Sequence, residues 1–148
     1  MPRTALIVPV RALDAYYEGA PGVPAHITVL FPFVDAAAVD EKAVAEVLAP
    51  FDAFSFTLAS RERFEGGVRW LRPEPSEPFR LLTRAVWQRW PEHPPYEGAH
   101  DDVIPHLTVT RADTPVPVET RAEEVWLIEE QPHAWTTRCA FPLAQGVA

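Results

Sequence analysis

The sequence predicts an α+β protein made of two similar lobes that face one another. Three observations predict it. Strand-type runs outnumber the helical patterns, of which two are well formed. Proline-bearing connections keep the elements short and separate. Each half carries a strand, a helix and a strand with a His-x-Thr motif, the two motifs lying 80 residues apart in the chain (26 to 106). That is a faint internal duplication rather than a tandem repeat.

In order along the chain, Thr4 to Val10 is β-rich and apolar and predicts the first strand. Leu13 to Glu18 predicts a short helix, and residues 19–24, rich in Gly and Pro, a loop. Ala25 to Phe31 predicts a second strand, stopped by Pro32. Asp40 suits a helix cap, with Val44, Val47 and Leu48 at helical spacing before Pro50 closes the segment. Phe54, Phe56 and Leu58 alternate with Ser55, Thr57 and Ala59, as on a half-buried strand. Arg61 to Phe64 and Val68 to Leu71 predict two strands around a Glu65-Gly66-Gly67 turn. Phe79, Leu82, Ala85, Val86 and Trp90 fall on one face of a helix from Phe79 to Trp90. A long loop, 92–102, precedes a strand from Val103 to Thr110, and Glu124 to Glu130 with Trp135 to Leu143 predict a closing hairpin.

The 148 residues suit one domain spanning 1–148, large enough to fold on its own core without a disulfide or a metal. The single cysteine, Cys139, reads as a small buried residue. The apolar run from Ala5 to Val10 is too short to cross a membrane, and no basic leader precedes it, so a cytoplasmic location is expected. A net charge of −8 argues against an extended nucleic-acid surface, because phosphate neutralisation by basic residues supplies most of that affinity. Any RNA would be held by a terminus or as a small fragment, in a local pocket.

The motifs read Pro24-Ala25-His26-Ile27-Thr28-Val29 and Pro105-His106-Leu107-Thr108-Val109. Composition alone would give about a third of one His-x-Thr. Two occur, each followed by Val and each in apolar strand sequence. Residues i and i+2 of a strand share a face, about 7 Å apart along the backbone. Each motif therefore presents an imidazole and a hydroxyl together, while Ile27, Val29, Leu107 and Val109 turn the other way. If the two strands lie side by side, two His and two Thr converge on a volume suited to a phosphodiester. One neutral imidazole takes a proton from the nucleophile, the other, protonated, gives one to the leaving oxygen, and the hydroxyls bind the non-bridging oxygens.

These motifs, with the segments PAHITVLFPF and DDVIPHLTVTR, resemble the 2H phosphoesterase superfamily, in its 2′-5′ RNA ligase-like branch. The resemblance extends over most of the chain. It implies a bilobal, pseudo-symmetric α+β fold whose central cleft carries the two motifs. It further implies metal-independent action, without a cofactor, on 2′,3′-cyclic phosphates or 2′-5′ linkages of small nucleotides or RNA ends, with ligation as the reverse direction. His26 and His106 would then be the acid/base pair and Thr28 and Thr108 the phosphate binders. Which His is the acid stays open, and a monomer is expected.

Competing readings have less behind them. A metal site from His26, His106, His100, Asp101 or Asp102 lacks HxH or HxxxH spacing, and Thr is a poor ligand. A non-catalytic module that binds phosphates or nucleotides in the same place is the main alternative. Three more residues are candidates to line the site. Arg111 follows the second motif, His100 precedes it beside Asp101 and Asp102, and Tyr96 lies in the long loop. Tyr16, Tyr17, Trp70 and Tyr96 are candidates for stacking on a base, whereas Phe31, Phe33, Phe79, Trp87, Trp90, Trp126 and Trp135 are expected in the core. His93 and His133 are expected at the surface.

Overall fold

A strand with alternating apolar residues must bury one of its faces, and the cheapest way is to share that face with neighbouring strands under a common helical layer. A computed structural model, which describes residues 2–99 and 103–145, shows this arrangement as one eight-stranded sheet. The chain order is β1 (Thr4–Pro9), a 3-10 turn (Arg11–Tyr16), β2 (His26–Leu30), α1 (Glu41–Leu48), β3 (Phe54–Arg63) and β4 (Arg69–Glu74). It continues with α2 (Glu77–Arg89), a second 3-10 turn (Pro95–Gly98), β5 (Leu107–Val109), β6 (Val118–Ala122), β7 (Glu124–Glu130) and β8 (Trp135–Pro142).

Across the sheet the order is β6-β3-β4-β5-β2-β1-β7-β8, and every neighbouring pair is antiparallel. The two strands that carry or follow the His-x-Thr motifs, β2 and β5, are therefore central neighbours with three strands on either side. Their register sets Ile27 opposite Leu107.

Both helices cover the same face. Asp40 accepts from the backbone N–H groups of Lys42 and Ala43 at 3.0 and 3.2 Å, satisfying two of the free donors at the start of α1. Pro78 sits in the first turn of α2, where its missing N–H costs nothing. The α2 residues Phe79, Leu82 and Val86 are buried, and Phe79 meets Phe54 and Phe56 edge to face at 5.0 and 4.9 Å. Thr83 donates to the Val29 carbonyl at 2.7 Å, which pins α2 over β2. The main core includes Leu6, Val8, Ile27, Val29, Leu71 and Leu107, all from this side of the sheet. The opposite face carries a small second cluster of Ala5, Ile7 and Ile128, with Phe31, Trp126 and Trp135 partly buried around it.

Several expectations change. The two strands expected at 54–59 and 61–64 are one, β3, because a bulge between Leu58 and Ser60 absorbs the break in alternation. β4 begins at Arg69 rather than Val68 and runs on through Pro73 to Glu74. The expected helix after Leu13 is a 3-10 turn starting at Arg11. The strand expected over 103–110 is paired only at Leu107–Val109, since Pro105 has no N–H to give a ladder. β6 lacked a sequence signal. Trp87 is 43% exposed rather than core, and Cys139 is only half-buried.

Candidate active site

The site follows from one register. With Ile27 facing Leu107 in an antiparallel pair, one step in either direction sets His26 beside Thr108 and Thr28 beside His106. Ile27 and Leu107 are fully buried on the helix-covered face. All four motif side chains therefore emerge on the other face, and all four are half-buried rather than sealed. The two histidines are diagonal neighbours, a relationship that places residues about 7–8 Å apart with their Cβ atoms somewhat closer. A phosphoryl group fits between two such rings.

The histidines are held alike. His26 Nδ1 lies 2.8 Å from the Pro24 carbonyl and His106 Nδ1 lies 2.7 Å from the Ile104 carbonyl, in both cases two residues back along the chain. A carbonyl oxygen only accepts, so each Nδ1–H donates, and proton exchange falls to Nε2. The proline before each motif holds the approaching chain extended, which helps to set that carbonyl. Burial lowers the His26 pKa below its ordinary value of 6.5. The Pro24 bond works against that shift, and the nearby charge of His106 adds to it.

The walls differ. Tyr17 meets the His26 ring edge to face at 5.6 Å. On the other side Phe64 and Trp70 stack at 4.6 Å, and both abut His106, at 5.1 and 6.0 Å. Trp70 sits opposite Thr108 in the β4–β5 ladder. Among the described residues its Nε1 is a buried donor with no hydrogen-bond partner, which costs the fold about 1–3 kcal/mol.

Of the further candidates, Tyr96 reaches the site: its hydroxyl is hydrogen-bonded to Thr28, and burial raises its pKa above 10.0. Its backbone N–H donates to the Phe31 carbonyl at 2.6 Å. Tyr96 and Glu97 have φ values of 52° and 57°, a left-handed conformation that costs side-chain-bearing residues about 1–2 kcal/mol each. Arg111 is engaged elsewhere. Its guanidinium is bidentate to Asp113 at 2.9 and 2.7 Å and lies over the Tyr16 ring, and it borders a separate cavity of about 320 Å³ with Arg61, Arg63 and Arg69. His100, with Asp101 and Asp102, lies outside the described residues.

Among the described residues no three His, Cys, Asp or Glu side chains are grouped so as to hold a metal ion. No helix among them is long and apolar enough to cross a membrane. The wall formed by Phe64 was missed in the sequence, where Phe64 was read only as the end of a strand. The π-stack with Trp70 exists because the β3–β4 turn brings residues from either side of it together.

Among curated protein sequences none matches this chain. Solved structures with a similar fold include a phosphoesterase and E. coli LigT complexed with 3′-AMP. Each is 18% identical with a TM-score of 0.67, over 98% of this chain and 100% of the other. TT0787 of Thermus thermophilus is also 18% identical over the same shares, with a TM-score of 0.66. At this identity the likeness concerns the fold. The sequence itself matches the 2′-5′ RNA ligase superfamily over residues 2–141. Two strand-borne His-x-Thr motifs meeting on one sheet face agree with that match, and the chain belongs to the 2′-5′ RNA ligase superfamily of 2H phosphoesterases.

Proposed function

We propose that this chain is a metal-independent phosphoesterase that opens 2′,3′-cyclic phosphates or cleaves 2′-5′ phosphodiesters of small nucleotides or RNA ends, with ligation as the reverse of the same chemistry. The observation that carries the reading is the β2–β5 register, which gives His26, Thr28, His106 and Thr108 a common face. The two halves of the sheet on either side of that seam are read as pseudo-symmetric lobes of one domain spanning 1–148, with the four residues in the cleft between them. The ligands named for E. coli LigT structures, 3′-AMP and phosphate, are of the chemical class this site would accept.

In hydrolysis of a cyclic phosphate, water attacks phosphorus in line with the leaving ribose oxygen. His26, whose neutral form is favoured by burial, takes the water proton at Nε2 as the new P–O bond forms. His106, protonated, gives its proton to the leaving oxygen as the old bond breaks, leaving a phosphomonoester and a free ribose hydroxyl. Thr28 and Thr108 donate to the non-bridging oxygens, where charge accumulates, and Tyr96 orients Thr28 through their hydrogen bond. Reversal of the two proton transfers serves ligation.

The test is incubation with 2′,3′-cyclic nucleotides and 2′-5′-linked dinucleotides. His26→Ala and His106→Ala should each lower turnover by about 10²–10⁴-fold while the circular dichroism spectrum is unchanged, and EDTA should have no effect. Full activity in either variant overturns the assignment. Tight binding of these nucleotides by the wild type with no product would instead make the chain a non-catalytic binder.

A further inference from the structure

The surroundings of the two histidines are unequal, and the inequality has a use. Against His106 the space is filled by the stacked Phe64 and Trp70 rings. On the His26 side, beyond Tyr17 and Pro24, lies a cavity of about 400 Å³ that His26 itself does not line. Tyr17 belongs to both places: its ring abuts His26 and also lines the cavity. So does Pro24, whose carbonyl holds His26 Nδ1.

The strand registers locate this cavity on the catalytic face. Trp126 of β7 faces Ile7 of β1, and Ile7 faces Thr28 of β2, so the three form one row across the sheet. At a strand spacing of about 4.8 Å, Trp126 stands about 10 Å from Thr28. That span suits a ribose and a base extending from a phosphate held at Thr28. The cavity volume lies within the range of small-ligand pockets.

Its lining has two chemistries. The Tyr17 and Trp126 rings with Val23 are apolar and flat, as a stacking surface needs. The Arg11 guanidinium lies over the Trp126 ring at 5.9 Å, so a base stacking there must share or displace it. Arg11 and Asp14 form the polar part, joined by a 2.6 Å ion pair that offers N–H donors and carboxylate acceptors side by side. A planar group with hydrogen-bonding atoms on its edge can use both.

The pocket is also held open before any ligand arrives. Asp14 is fixed by the Ala25 N–H at 2.9 Å. The loop wall is tied to β8 by the Trp135 N–H donating to the Pro21 carbonyl at 2.8 Å. Gly22, at φ 86°, packs so tightly on the Trp135 carbonyl that a Cβ would collide with it.

We infer that the cavity between Tyr17 and Trp126 is a nucleobase subsite, so that the ligand lies with its base on the His26 side of the phosphate. The inference rests on the proposed phosphate site between the histidines and adds the identity and direction of what the phosphate is attached to.

Calorimetric binding tests it without needing turnover. The probes are adenosine 3′-monophosphate, uridine 3′-monophosphate and the base-free 1-O-methylribose 3-phosphate. Stacking should make the better nucleotide bind about tenfold or more tighter than the base-free phosphate. Trp126→Ala should bring that ratio close to one, whereas Trp126→Phe, which keeps an aromatic face, should retain most of it. Should Trp126→Ala fail to fold, Thr137→Trp fills the cavity from its exposed rim on β8 and should collapse the ratio in the same way.

A wild-type ratio near one, or a ratio that survives both Trp126→Ala and Thr137→Trp, overturns the subsite. The catalytic reading fails separately, by absence of product from every cyclic and 2′-5′ substrate, and in that case the binding ratio still decides the subsite.

Discussion

Ile27 and Leu107 face one another across the β2–β5 seam, both with no exposed surface. They come from opposite halves of the chain, and their contact places the motif residues of each half beside those of the other. Leu107→Ala removes apolar contacts at a point where the sheet cannot easily close up. It should cost about 2–5 kcal/mol in urea unfolding and lower activity in the folded fraction by loosening the spacing of the two histidines. A loss below about 1 kcal/mol would mean that the seam tolerates a gap.

The charge of His106 is one of the reasons His26 is harder to protonate. By NMR titration, His26 should ionise below 6.5 in the wild type, and its pKa should rise when His106→Gln removes the neighbouring charge. The acid limb of kcat/KM should follow the His26 titration, since the proposed base must be neutral. An unchanged His26 titration in His106→Gln would show that the two rings do not interact.

The same depressed pKa links stability to pH. Folded His26 binds a proton less readily than unfolded His26, so acid favours the unfolded chain. Its contribution should be fully present above the ordinary value of 6.5 and be lost as pH falls through the lower folded value. His26→Gln should therefore be less acid-sensitive than the wild type below pH 6.5, and a constant difference in unfolding free energy between the two across that window would contradict this.

How much of this was legible in the sequence depended on the range of the forces involved. The Asp40 cap, the buried face of α2 and the alternation that turns His26 and Thr28 away from Ile27 are local, and each is present as read. β6 escaped notice because Val118–Ala122, with Glu119 and Arg121 exposed, is held by its pairing with β3 and has little apolar pattern of its own. The break at Ala59 looked like a strand end because a bulge shifts the alternation by one residue. Pairing of β2 with β5 joins residues 80 positions apart, 27 to 107, and nothing local announces it. Trp126 was expected in the core on composition. Only the fold reveals that the side of the sheet on which it lies is the one without helices.

Tyr96 shows what a loop residue gains from such placement. Two consecutive side-chain-bearing residues, Tyr96 and Glu97, are held at positive φ, and that strain persists only because other contacts over-determine it. One is the Tyr96 N–H bond to Phe31, and another is the hydroxyl bond to Thr28. The two roles separate by mutation. Glu97→Gly relieves the left-handed cost and, after the extra chain entropy of glycine, should stabilise the fold by about 0.5–1 kcal/mol with activity unchanged. Tyr96→Phe keeps the ring and backbone but leaves the Thr28 hydroxyl without its orienting partner. A hydrogen bond of ordinary strength predicts a loss of about 2–10-fold in kcat/KM, with little change in melting temperature. If Tyr96→Phe were instead fully active while lowering the melting temperature, the tyrosine would serve the loop and not the phosphate.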